Sequence, residues 1–444
     1  MRIKLPANVE KIINTLESAG FEAYAVGGCV RDSLLGRIPN DWDITTSAKP
    51  DQTKALFSKT FDTGIKHGTV SVLLNKEIYE VTTYRIDGEY EDSRHPKEVI
   101  FTAELKEDLL RRDFTINAMA YNPRVGLVDL YGGVSDMEKH IIRCVGNAYD
   151  RFSEDALRIM RAIRFAAQLD YSIEEKTEEA IRELAPSLSR ISVERIQTEL
   201  VKMLVSDHPE YIRKAWELGV TKQFIPEFDA AMVTEQNNPN HAYSVGEHTL
   251  KVLEGVPADK VLRLTALLHD LGKVTTKTTD ENGVDHFKGH AAEGAKIAHD
   301  VFRRLKFDND TETRVCRLVM YHDWTIGAVP GHIRRYINKI GEECFPEIFS
   351  FNRADQMAQS EYKRKEKMEH IRVLEEAYEK VVANKECVSL KTLAVTGKDL
   401  LEAGVKPGPG MGEMLQKLLD TVLDDPSKNT KEYLLSVVKA GEQI

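Results

Sequence analysis

Asp41-Trp42-Asp43 closes the stretch GGCVRDSLLGRIPNDWDITT, Gly27 to Thr46, and sets two carboxylates one residue apart just before a β-branched run. Along a strand successive side chains alternate faces, so Asp41 and Asp43 are expected to point one way and Trp42 the other. Two such carboxylates can share a divalent cation, and hard Mg²⁺ prefers carboxylate oxygens together with water and substrate phosphates. A pair of such ions steadies the attacking and leaving oxygens of an in-line displacement at phosphorus. Glu80, midway along the second strand predicted in VSVLLNKEIYEVTTYRI, could complete the acidic set. The Gly27-Gly28 turn lets backbone N–H groups approach a triphosphate closely, and Arg31, just inside the next predicted helix, adds a charged donor. Asp-x-Asp alone is equally the polar face of a solvated strand, so the rest of the chain has to decide.

Two further constellations carry chemistry. SEDALRIMRAIR holds Asp155 and Arg158 at i and i+3 on a predicted helix, which by spacing alone is an intrahelical ion pair worth a few tenths of a kcal/mol. Arg161 and Arg164 continue the stripe, facing either solvent or a ligand. GEHTLKVLE places His248 on a helix, and LTALLHDLGKV ends another with His269 and Asp270. An adjacent His-Asp on an apolar helix is costly to bury without a ligand or partner. His286, His290, His322 and Asp355 follow downstream.

The elements that must position these groups fall into two kinds. Residues 6–19 read as an amphipathic helix, FEAYAVGG as a strand entering a glycine turn, 41–46 as a strand, and 70–86 as two strands around Asn75-Lys76. DGEYEDSRHPKE has no apolar periodicity and reads as a long mobile loop. From Ala148 onward apolar residues recur at three- and four-residue spacing, and NNPN at 237–240 reads as a linker. The expected fold is therefore α+β, an N-terminal mixed β-sheet head followed by an all-α remainder, in segments 1–147, 148–236, 237–380 and 381–444.

Composition bounds the function. The net charge of -10 excludes a protein that coats nucleic acid indiscriminately, while leaving room for local basic stripes. Five scattered cysteines with no Cys-x-x-Cys predict reduced thiols, and no apolar run suits a membrane span or signal peptide, so a soluble, cytoplasmic protein with no membrane partner is expected.

GGCVRD, the DWD that begins ten residues after Arg31, and RRDFTINAMA at Arg111 to Ala120 together resemble the class II tRNA nucleotidyltransferases of the polymerase-β superfamily, which include CCA-adding enzymes and bacterial poly(A) polymerases. The resemblance implies that Asp41 and Asp43 hold catalytic Mg²⁺, that Gly28 and Arg31 hold the triphosphate, and that Arg112 binds the nucleotide, with Asp113 and Asn117 as supports. Asp155 and Arg158 match the family's Glu-Asp-x-x-Arg motif, which reads the incoming base. That role makes chemical sense: a carboxylate accepts from an exocyclic amine while a guanidinium donates to a ring nitrogen, a pairing that cytosine and adenine offer and uracil and guanine reverse. By the same resemblance Arg161 and Arg164 reach phosphate or ribose. Asp87, Glu91, Asp92 and Arg94 lie in a loop that resembles the one full CCA-adding and A-adding enzymes carry.

The order His248, His269-Asp270, Asp355 resembles the HD phosphohydrolases, implying a divalent metal on those four residues, with His290 and His322 as further matches. Lys406, in the Gly/Pro turn of LLEAGVKPGPGMGEML, would contact tRNA in the tail. The implied function is template-independent addition of C, C and A to tRNA from CTP and ATP with release of pyrophosphate. Rival readings are a poly(A) polymerase, an A-adding enzyme, a metal phosphohydrolase with a degenerate head, and a tRNA-binding scaffold.

Overall fold

The computed structural model describes residues 2–88, 99–323 and 326–441. The chain forms two compact units, Met1–Pro226 and Glu227–Ile444.

The first unit is built on a seven-stranded mixed sheet. Its strands are β1 (Ala23–Val26), β2 (Asp43–Thr46), β3 (Thr60–Gly64), β4 (Thr69–Leu74), β5 (Glu77–Thr83), β6 (Met119–Asn122) and β7 (Gly126–Asp129), in the order β3-β4-β5-β2-β1-β6-β7. β1 and β6 are interior strands and are buried along their whole length, as AYAV and MAYN predict. The helix Ala7–Ser18 buries Val9, Ile12, Ile13 and Leu16, one apolar stripe of an amphipathic helix. Asn75 and Lys76 join β4 to β5 with both φ angles positive, at 51° and 69°, as a two-residue hairpin turn of matching twist requires.

Two sequence expectations need correcting here. β2 begins at Asp43, so Asp41 and Trp42 precede the strand. The cause is its neighbour: Val26 pairs with Asp43, and β1 then ends in the turn at Gly27, leaving no partner for an earlier residue. The segment from Ser153 to Leu169 is not one helix either. It breaks at Asp155, whose backbone is extended (φ -141°, ψ 101°) between helices Ala148–Glu154 and Leu157–Leu169. Asp155 Oδ1 accepts from the Leu157 N–H at 3.0 Å, a local side-chain bond that competes with helix continuation.

Arg85–Asp87 pairs antiparallel with Val99–Phe101, so Asp87 belongs to a short ribbon at the stem of the predicted loop. Glu91, Asp92 and Arg94 lie outside the described residues.

In the second unit helices dominate. NNPN is no free linker: Asn237 N–H donates to Asp285 Oδ2 at 2.8 Å, and Asn238 Nδ2 donates to the Asp285 carbonyl at 3.0 Å. Towards the chain end, helices Gly397–Glu402 and Pro409–Asp424 bury Leu400, Leu418, Leu419 and Val422 in a separate small core, with Lys406 exposed in the turn between them. All five cysteines are free thiols. Among the described residues no helix is long and apolar enough to cross a membrane.

Candidate functional site

The carboxylates meet at one end of the first unit's sheet. β2 runs parallel to β5 with Ile44 beside Val81, which brings Glu80 level with Asp43. Their electrostatics carry the proximity: desolvation by the crowded strand ends and the Asp41 charge push the Asp43 carboxyl above its ordinary range, with Arg112 opposing. Glu80 is raised by desolvation and then by Asp43 and Asp41. Asp41, Asp43 and Glu80 thus gather an all-oxygen, anionic set, the donor chemistry that Mg²⁺ takes.

The glycine turn adjoins this set because Val26 pairs with Asp43. Gly27 has φ +86°, a conformation that favours glycine, and a β-carbon there would lie 3.0 Å from Arg112 Nη1, so the guanidinium packs close over the turn. Arg112 pairs with the fully buried Asp108 at 3.5 Å and has a buried Nε with no partner among the described residues. Asp108 is itself tied to β2, accepting from Thr45 Oγ1 at 3.0 Å.

Arg31 is buried and donates to Asn117 Oδ1 at 2.6 Å. Asn117 Nδ2 donates to Asp113 Oδ1 at 3.1 Å, and Asp113 Oδ2 accepts from Arg161 Nη2 at 2.6 Å. A single relay thus joins the glycine-turn arginine to the helix Leu157–Leu169. Arg164, also buried, pairs with Glu199 at 2.5 Å. Phe165 is the common platform, with the Arg164, Arg31 and Arg161 guanidinium carbons 3.7, 4.9 and 5.3 Å from its ring centroid.

Burial pushes the Asp113 carboxyl up, and the Arg161 guanidinium more than reverses this, holding it well below the usual carboxylate range. Asp113→Ala is therefore expected to cost about 3 kcal/mol, the scale for removing one member of a buried pair. Because the folded pKa lies below the unfolded one, the native carboxylate's contribution is full above about pH 4 and is lost on acidification. Urea midpoints of the two proteins should converge as the pH falls.

Asp155 and Arg158 are each held by other groups. Asp155 Oδ2 accepts from Arg195 Nη2 at 2.7 Å. Arg158 donates to Glu154 Oε2 at 2.5 Å and to the carbonyls of Arg151 and Arg111, both at 3.0 Å. Sequence reading did not single out Arg195, Asp108, Glu154 or Glu199. Glu154 and Asp108 had a local signal, each lying three or four residues from an arginine it holds.

A second cluster occupies the other unit. Nδ1–H of His248, His269, His290 and His322 donates to the carbonyls of Ala358 (3.4 Å), Ala266 (2.9 Å), Phe287 (2.9 Å) and Val319 (2.7 Å). A carbonyl only accepts, so Nδ1 is the donor in each ring and Nε2 is the nitrogen turned inward towards a ligand. Those nitrogens form two pairs, His248 with His269 and His290 with His322, each 3.3 Å apart. Asp270 serves both: Oδ2 lies 3.2 Å from His269 and 3.5 Å from His248, and Oδ1 lies 3.6 Å from His290 and from His322. Asp355 Oδ1 adds a contact to His248 at 2.9 Å.

Among the described residues, His248-His269-Asp270 and Asp270-His290-His322 are the triads whose ligand atoms converge within 4.8 Å. Opposed imidazole Nε2 atoms around a carboxylate suit a transition metal. Gly272 permits the closure, since a β-carbon there would lie 2.1 Å from the His290 carbonyl. His286 lies outside these triads, exposed and bonded to Asp280 at 2.9 Å. Beside the cluster lies a cavity of about 850 Å³ whose lining includes Lys273, Lys288, Lys363 and Lys367.

A mixed sheet with a glycine turn, clustered carboxylates and an arginine relay to the following helix defines a nucleotidyltransferase of the poly(A) polymerase type. The family model for the poly A polymerase head domain matches residues 23–143, and the model for tRNA nucleotidyltransferase domain 2 matches residues 291–438. The CCA-adding enzyme of Lactobacillus helveticus is 36% identical over 95% of this chain and 94% of its own length. That of Pediococcus pentosaceus is 35% identical, over 96% of each. The crystal structure of the Bacillus stearothermophilus CCA-adding enzyme in complex with CTP superposes with a TM-score of 0.70 at 29% identity, over 99% of this chain and 100% of that one. The chain belongs to the CCA-adding enzyme family of tRNA nucleotidyltransferases.

Proposed function

We propose that this chain adds C, C and A in turn to the 3′ end of tRNA, using CTP and ATP and releasing pyrophosphate without a nucleic-acid template. The observation that carries the reading is the gathering of Asp41, Asp43 and Glu80, with Asp43 and Glu80 level on the neighbouring strands β2 and β5, beside a glycine turn packed on Arg112. Enzymes of this family depend on a metal, and Mg²⁺ fits the all-oxygen set. When bound, it supplies charge neutralisation for the attacking and leaving oxygens.

The chain's own residues do the rest. Asp41, Asp43 and Glu80 hold the cation. Gly28 leaves room for the triphosphate, and Arg31 and Arg112 donate to it while Asn117 and Asp108 keep the two guanidiniums in place. Asp155 accepts from the amine of cytosine or adenine and Arg158 donates to the ring nitrogen. Arg161 and Arg164, fixed over Phe165, bound the nucleotide's ribose and phosphate side. Rate comes from positioning and charge, so no side chain has to abstract a proton at an unusual pKa.

The division of labour assigns 1–147 to transfer, 148–236 to base reading, 237–380 to the metal centre and 381–444, through Lys406, to tRNA in a cytoplasmic enzyme. Supplying tRNA that lacks its terminal CCA with single labelled nucleotides tests this. Use of both CTP and ATP supports it; ATP alone built into long tails points to a poly(A) polymerase.

The His/Asp cluster favours a second activity, metal-dependent hydrolysis of a phosphoester by the HD site, with His248, His269, Asp270 and Asp355 as ligands and His290 and His322 extending the set. His269→Ala is expected to weaken Mn²⁺ binding by more than about 100-fold, since even outer-shell changes cost 10- to 100-fold. Turnover of 2′,3′-cyclic nucleotides should vanish in the same variant and persist in Asp43→Ala.

A further inference from the structure

Asp355 presents its two oxygens to different surroundings. Oδ1 faces His248 Nε2 at 2.9 Å. Oδ2 is occupied by amide donors, Gln359 Nε2 at 2.8 Å and Gln356 Nε2 at 3.2 Å. What holds the Gln359 amide in that sense lies on the next helix, Arg364–Ala383: Lys367 Nζ donates to Gln359 Oε1 at 2.8 Å.

A carboxamide is nearly symmetric in shape and can turn end for end. Turned, it would set its oxygen against Asp355 Oδ2 and its NH₂ against an ammonium, two repulsions at once, because Lys has only donors and a carboxylate only acceptors. Lys367 therefore fixes the polarity of Gln359. Its own position is fixed in turn. Lys367 Nζ donates to Asn240 Oδ1 at 3.1 Å, and Asn240 Nδ2 donates to Asn238 Oδ1 at 3.0 Å, which sets that amide as well. Ser360 ties the same turn down, its Oγ donating to the Pro239 carbonyl at 2.6 Å and its N–H to the Asn240 carbonyl at 3.0 Å. The loop that leads to the His248 helix is thereby locked to the end of the helix carrying Asp355.

We infer that Lys367, acting through Gln359, is a positioning residue that makes Asp355 a one-oxygen ligand aimed at the cation shared with His248. The inference rests on the metal-centre reading above. It separates the two halves of the cluster, because Asp355 contacts His248 and His269 and the relay serves that half.

Mn²⁺ binding to the full chain, followed by calorimetric titration, tests it. With the head's carboxylate set silenced by Asp43→Ala in every protein compared, the chain with Lys367 intact should bind two ions at the His/Asp cluster. Lys367→Met, which keeps the apolar stem and loses the donor, should weaken one of them by about 10- to 100-fold and leave the other unchanged. Lys367→Arg, which keeps a donor, should restore most of the affinity, a rescue that a merely space-filling role would not require. Undiminished affinity in Lys367→Met, or an equal loss in Lys367→Arg, overturns the inference while the metal centre stands. A chain with Lys367 intact that binds no Mn²⁺, with Lys367→Met equally silent, overturns the metal centre and the relay together.

Discussion

Asp43→Ala is expected to abolish incorporation of both CMP and AMP, by at least about 10³-fold, and to leave Mn²⁺ binding at the His/Asp cluster intact. Asp41→Ala should behave alike. The magnitude follows from the chemistry, since a triphosphate and an incoming hydroxyl cannot be drawn together on an anionic set stripped of one cation ligand. The variant also has a second signature. Asp43 and Glu80 are both raised by desolvation and by neighbouring negative charge, so the metal-free native state holds them protonated more readily than the unfolded chain does. For raised carboxyls stability falls as the pH climbs above the ordinary carboxylate range. Asp43→Asn should accordingly make the metal-free protein modestly more resistant to heat at neutral pH while eliminating transfer, as expected where function strains the fold. Retention of CMP transfer in Asp41→Ala would remove these residues from the mechanism.

Asp155→Ala carries the second large effect, and it concerns choice of base. A site built to accept one amine and donate to one ring nitrogen rejects the reversed pattern by about 10⁴-fold, because its polar groups would be left facing their own kind. Removing the acceptor is expected to cut CTP and ATP use by about 10²-fold and to collapse discrimination against UTP and GTP by about 10³-fold. Arg195→Ala should give a milder version, since Arg195 bonds Asp155 at 2.7 Å while Leu157 N–H still holds its other oxygen. Single-turnover incorporation of each of the four nucleotides distinguishes the two variants. Unchanged preference in Asp155→Ala would move base reading elsewhere.

Much of this architecture was legible in the residues. The alternating run before Asn75-Lys76 and the one after it became paired strands, because a two-residue turn of left-handed residues fixes both register and twist. FTINAMA, mostly apolar, became buried core leading into an interior strand of the sheet. The inward histidines of the second cluster follow their order along the chain.

What stayed hidden is tertiary. Asn117 reaches Arg31 across 86 residues, Arg195 reaches Asp155 across 40, and Glu199 reaches Arg164 across 35, distances at which no periodicity leaves a mark. The helix break at Asp155 was masked because SEDALRIMRAIR has helical spacing throughout. Only the carboxylate bonding forward to Leu157 N–H and across to Arg195 explains why the residue abandons the helix. Composition alone makes NNPN a linker, yet the Asn237 backbone N–H and the Asn238 side chain pin it to Asp285.

The most direct measurement is the mass of a tRNA lacking its 3′ CCA after incubation with the protein, Mg²⁺ and all four nucleoside triphosphates together. The account predicts one product, heavier by two C residues and one A residue, with no U or G incorporated and no further extension. A ladder of A residues, a mixed-base tail, or an unextended tRNA would contradict it.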